Sequence, residues 1–66
     1  ALLIESLARV ATALDGLSAR ARQAFLLSQL DGFTYVQIAE VVGVSVSMVR
    51  RSMALGLRQC VLALED

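Results

Sequence analysis

The chain has 66 residues, 58% apolar and 18% charged, with six arginines, no lysine and six carboxylates for a formal net charge of zero. A domain of ~60 residues buries only about 60% of the surface its unfolded chain exposes, which leaves little room for a catalytic cleft beside a core. Histidine is absent and Cys60 is the single cysteine, which excludes a zinc finger, a histidine-based triad and a disulfide framework. No cofactor or metal is expected, and the lone thiol suits a reducing compartment.

Membrane insertion is excluded by pattern. A spanning helix needs ~20 nearly unbroken apolar residues, whereas Glu5, Arg9, Asp15, Arg20, Arg22 and Asp31 interrupt the first half at short intervals. No basic segment leads into an apolar one, as a signal peptide requires. The chain starts without methionine, in mid-pattern, as expected of a piece of a longer protein. Its apolar excess points instead to a surface that meets a partner. Zero net charge argues weakly against nucleic acid, but the distribution matters more. Residues 1–44 hold Arg9, Arg20 and Arg22 against Glu5, Asp15, Asp31 and Glu40, whereas residues 45–64 hold Arg50, Arg51 and Arg58 and no acid.

The predicted elements are four helices, over about residues 2–14, 19–30, 35–42 and 46–63, with no strand and no proline anywhere. In the first, Leu3, Leu7, Val10 and Leu14 repeat at spacings of four, three and four and form the expected inner stripe. Asp15-Gly16 ends it. Ser18 is the expected N-cap of the second helix, whose Ala21, Ala24, Phe25, Leu26, Leu27 and Leu30 make it apolar nearly all round, as expected of the most buried element. Asp31-Gly32 closes that helix. Thr34-Tyr35-Val36-Gln37 reads as a capping box opening a short third helix, which Gly43 stops. The fourth starts near Ser45, with Val46, Val49, Met53, Leu57, Cys60 and Leu64 as its expected buried stripe and Gly56 inside it at a cost of ~1 kcal/mol relative to alanine. Cys60 reads as a small hydrophobe on that stripe.

Tyr35 to Met53 meets the demands of a helix-turn-helix. Ala39 is small where the second helix crosses the first, Gly43 tolerates positive φ four residues later, and Val49 anchors the second helix. Ile38, Val42 and Val44 fill the other inward positions. Ser52 is polar at an inward site, so Met53 beside it is expected to take the packing role. The competing reading is a plain helical bundle with a glycine hinge. On the outward face, with Ser47 as origin, steps of about 100° put Arg51 at about 40°, Ala54 at about −20°, Arg58 at about 20° and Arg50 at about −60°. Such a helix suits the major groove, its arginines bidentate to guanine, its serines making short hydrogen bonds and Ala54 facing a thymine methyl. Arg58, farther along, suits phosphate. The competing reading of these residues is a solvated face.

The segments Leu14-Asp15-Gly16-Leu17-Ser18, Arg22-Gln23-Ala24-Phe25-Leu26-Leu27, Leu30-Asp31-Gly32-Phe33-Thr34-Tyr35-Val36-Gln37-Ile38-Ala39 and Gly43-Val44-Ser45-Val46-Ser47-Met48-Val49-Arg50-Arg51 together resemble region four of bacterial sigma-70 family factors. More narrowly they resemble the extracytoplasmic-function group, and within it the iron-starvation sigma factors of the ferric-citrate and ferric-siderophore type. Ala24-Phe25-Leu26-Leu27-Ser28-Gln29-Leu30-Asp31-Gly32 narrows the subgroup most. The resemblance covers roughly residues 12–62. It implies an all-α, four-helix domain with a helix-turn-helix, of the winged-helix-like or sigma region four type, spanning residues 1–66.

By that resemblance the domain is a cytoplasmic transcription initiation module, not an enzyme. It reads the minus thirty-five promoter element, is held by the β flap of core RNA polymerase and is regulated by an anti-sigma factor. The DNA-binding positions carried over are Ser45, Ser47, Arg50, Arg51 and Ala54, with Thr34 and Tyr35 near the DNA backbone. Two departures stand out: Ser52, Ala54 and Leu55 where relatives carry further basic residues, and Ser28 where some have a phosphate-contacting arginine. The apolar excess fits docking of a polymerase helix or an anti-sigma segment, at Leu2, Ile4 and the outer face of helix one or in the cleft between helices. A monomer is expected. Two other classes stay open from the residues alone: the output domain of a dimeric response-regulator-type activator, and a helical protein-interaction module without DNA contacts.

Overall fold

The computed structural model describes residues 2–30 and 32–65. They form four helices: α1 (Leu2–Leu14), α2 (Ala19–Ser28), α3 (Tyr35–Val42) and α4 (Val46–Leu64), and no strand occurs among the described residues. The helices pack into a body of 37 × 21 × 15 Å, with α4 in contact with each of the other three.

Local chemistry sets the boundaries. The Ser18 hydroxyl accepts from the Ala21 N–H at 3.2 Å, and the Ser45 hydroxyl from the Met48 N–H at 3.1 Å, each satisfying a donor that a helix start leaves unpaired. At α3 the capping box is complete. Thr34 Oγ1 accepts from the Gln37 N–H at 3.1 Å, and Gln37 Oε1 accepts from the Thr34 N–H at 2.9 Å. Gly43 ends α3 in the left-handed region at φ 81°, where a Cβ would be strained. There the N–H groups of Gly43 and Val44 both donate to the Ala39 carbonyl, at 2.8 and 3.0 Å, which turns the chain directly into α4.

Four expectations need correction. First, α2 stops at Ser28, two residues early. The Ser28 hydroxyl donates to the Phe25 carbonyl, and Gln29 and Leu30 donate to carbonyls only three residues back, so the last turn tightens and ends. The expected closure at Asp31-Gly32 is half visible: Asp31 lies outside the described residues, and Gly32 has φ 90°. Second, α2 is not buried all round. Ala21, Ala24 and Phe25 are buried, but Leu26 and Leu30 are 49% and 55% exposed.

Third, of the α1 stripe only Leu14 is buried and Val10 half-buried, while Leu3 and Leu7 are 72% and 60% exposed. Periodicity names a face, but burial also needs a neighbour opposite. Helix α4 ends at Leu64, and there Arg9 Nη2 donates to the Glu65 carbonyl at 2.8 Å. Fourth, the buried residues of α4 are Val49, Ser52 and Gly56, with Leu57 and Leu64 each about half exposed. Ser52, and not Met53, is the fully buried one. Its hydroxyl donates to the Met48 carbonyl one turn back at 2.7 Å, so it enters the core without an unmet hydrogen bond.

The core therefore sits where the helix-turn-helix meets α2. Ala24, Ile38, Ala39 and Val49 form it, with Leu27, Val42, Val44 and Val46 packed around.

Candidate nucleic-acid interface

The candidate residues within α4 lie on the side of the helix turned away from that core. Taking Ser47 as origin again, the buried Val49, Ser52 and Gly56 fall at about 200°, 140° and 180°. The face bearing Ser47, Arg51, Ala54 and Arg58 is thus opposite the buried one, and all four are exposed. Arg50, on the flank, is exposed too. Residue choice alone explains the orientation: only small or apolar side chains fit against α2 and α3, so arginine is left facing out.

The arginines are not equally available. Arg22 lies 3.4 Å from the Asp15 carboxylate, and Arg9 is engaged at the end of α4. No carboxylate among the described residues pairs with Arg50, Arg51 or Arg58. With no acid between residues 45 and 64, the helix presents uncompensated positive charge to solvent, the requirement for attraction to phosphate.

Ser45, Thr34 and Tyr35 mark the two helix starts. All three are exposed, but the hydroxyls of Ser45 and Thr34 are occupied as acceptors by their caps. Each keeps its hydroxyl hydrogen and a second lone pair, so donation to a base acceptor or a phosphate oxygen stays open. Ser47 caps no helix. The seven candidate residues thus divide into four on the outward side of α4, the Ser45 cap at its start and a pair at the head of α3, joined by the Gly43 turn.

A second surface is apolar. Between α2 and α3 runs an open groove of about 720 Å³ lined by Leu26, Leu27, Leu30, Val41 and Val42, with Gln23 and Gln29 at its rim. Val41 is 66% exposed. Reading α2 as wholly buried hides this groove. The available signal is its length: a ten-residue helix apolar on every side cannot find neighbours for every side in so small a fold.

The family described as Sigma-70, region 4, matches residues 7–60. This chain belongs to that family. As a region four domain it is 48% identical over 59 residues to the Ferric citrate uptake sigma factor FecI of Escherichia coli (strain K12), a match covering 89% of this chain and 34% of that protein. The chain thus spans about a third of the relative's length. The similarity falls in the iron-uptake subgroup that the Ala24–Gly32 segment indicated, and the all-helical fold agrees with a region four helix-turn-helix. No solved structure gives a significant match. Among the described residues no helix is long and apolar enough to cross a membrane.

Proposed function

We propose that residues 1–66 form one region four domain that binds the minus thirty-five element of bacterial promoters, with α4 in the major groove. The observation that carries this reading is the outward row of unpaired arginines on the second helix of a sigma region four helix-turn-helix. Arg50 and Arg51 contact base edges, Ser47 and Ala54 lie beside them, and Ser45, Thr34 and Tyr35 meet the DNA backbone. The domain is a cytoplasmic, non-enzymatic monomer.

Charge sets the affinity. Each phosphate neutralised contributes about −0.9 to the slope of log K against log salt. Three arginines, not all on phosphate, give a slope of roughly −1 to −2. Such a module binds weakly alone and relies on linked binding to a larger assembly. We therefore propose that the α2–α3 groove docks a helix of the RNA polymerase β flap, and that an anti-sigma factor competes for the domain.

Two experiments test this. Selection of duplexes from a randomised pool, followed by salt-titrated anisotropy, is expected to yield one short asymmetric motif with the shallow slope above. A palindromic motif would instead indicate a dimeric activator, and no enrichment a protein-docking module. Leu26→Glu, which puts a charge in the groove without disturbing a buried residue, is expected to abolish capture by core polymerase while leaving DNA binding unchanged. Undiminished capture would remove the groove from the docking role.

A further inference from the structure

Helices α2 and α4 share the most extensive contact of the fold, and within it a glycine meets an aromatic ring. Gly56 is a buried residue inside a 19-residue helix, and Phe25 of α2 is 5% exposed. A Cβ placed on Gly56 would overlap Cγ, Cδ1 and Cε1 of the Phe25 ring. Cγ is the root of the ring, not a free end that can swing clear, and a buried ring has little space for another rotamer.

The glycine therefore occupies a place its helix propensity disfavours, and the contact accounts for it. Helix α4 contacts all three other helices, and the outer two of its three buried positions are supports: Val49, packed with Ile38 and Ala39, and Gly56, against Phe25. Seven residues separate them, about 10 Å along the axis. Arg50 and Arg51 project from the span between. Displacing one support by about 1 Å tilts such a helix by about 5°, and the ends of long arginine side chains amplify the tilt. Bidentate base contacts tolerate only about 0.5 Å.

We propose that the Phe25 ring seated on Gly56 is the stop that sets the tilt of α4, which makes Gly56 a positioning residue for Arg50 and Arg51. The positioning role rests on the promoter-reading function above; the stop itself does not.

The test compares Gly56→Ala, Phe25→Leu and the double variant. At an unconstrained helical glycine, alanine raises the melting temperature by about 4–8 °C through helix propensity. Here Gly56→Ala is expected to lower it by about 5–20 °C through overpacking. The double variant is expected to recover part of that loss relative to Gly56→Ala, because leucine gives the new methyl room. A rise for Gly56→Ala would overturn the stop, whatever the DNA data show. Binding is then read by anisotropy at about 50 mM salt, well below every melting point, on the motif selected with the unaltered chain. Gly56→Ala is expected to bind about tenfold more weakly with an unchanged salt slope, and the double variant to regain affinity. Unchanged affinity in Gly56→Ala would reduce the contact to packing and overturn the positioning role. An unaltered chain that selects no motif would overturn the promoter-reading function and the positioning role with it, leaving the sign of the melting shift to decide the stop.

Discussion

Replacing Arg50 or Arg51 by alanine is expected to weaken binding to the preferred promoter duplex by about 1–3 kcal/mol, or about 5- to 150-fold, and to relax selectivity at one or two base positions. Both side chains are exposed and unpaired among the described residues, so thermal stability should stay within about 0.5 kcal/mol of the unaltered chain. That combination marks a residue used for reading and not for folding. Arg58→Ala is the comparison. It lies on the same face two turns beyond Arg51, and a phosphate role predicts a uniform loss across sequences and a salt slope shallower by about one. Selection repeated with each variant distinguishes the cases. If Arg50→Ala and Arg51→Ala weaken all duplexes equally, both arginines belong to phosphate, and α4 reads bases through Ser47 or not at all.

Ile38→Ala is expected to be the most damaging conservative change to the fold. Ile38 has no exposed surface and stands at the centre of the cluster with Ala24, Ala39 and Val49. Truncating a buried isoleucine costs about 2–5 kcal/mol, the spread reflecting how far the site can collapse. A domain of this length has a total stability of about 3–10 kcal/mol. The variant should melt at least about 10 °C lower, and in the upper part of the range it is unfolded at room temperature. Circular dichroism against temperature reads this directly. Leu3→Ala removes a similar volume from a residue 72% exposed and should leave the melt almost unmoved. Equal effects of the two would mean that α1 is covered in solution and that the core is not centred on the helix-turn-helix.

Much of the site was legible from residues because its signals are local. Ser18, Thr34 with Gln37, and Ser45 can satisfy helix-start donors only at those positions, and Gly43 alone can take the left-handed turn without strain. The outward placement of Ser47, Arg50, Arg51, Ala54 and Arg58 follows from helical periodicity, since the opposite side must be the one that packs. Even the boundary error at the end of α2 is local, a serine hydroxyl drawn to the carbonyl three residues back.

The chain's order of residues thus determined the four helices, their caps, the turn and the charged face, all of which depend on neighbours within about one turn. Tertiary structure decided the rest, because burial depends on what stands opposite. Leu3 and Leu7 share a face with Leu14 yet remain in solvent beyond the reach of α4. Leu57 and Leu64 continue an apolar pattern yet yield the core to Ser52 and Gly56, and at Gly56 the absent side chain lets Phe25 of α2 come close. Leu26, Leu30 and Val41 are left lining an open groove between α2 and α3. Side-chain volume at a helix crossing, more than hydrophobicity along the helix, set which residues went inside.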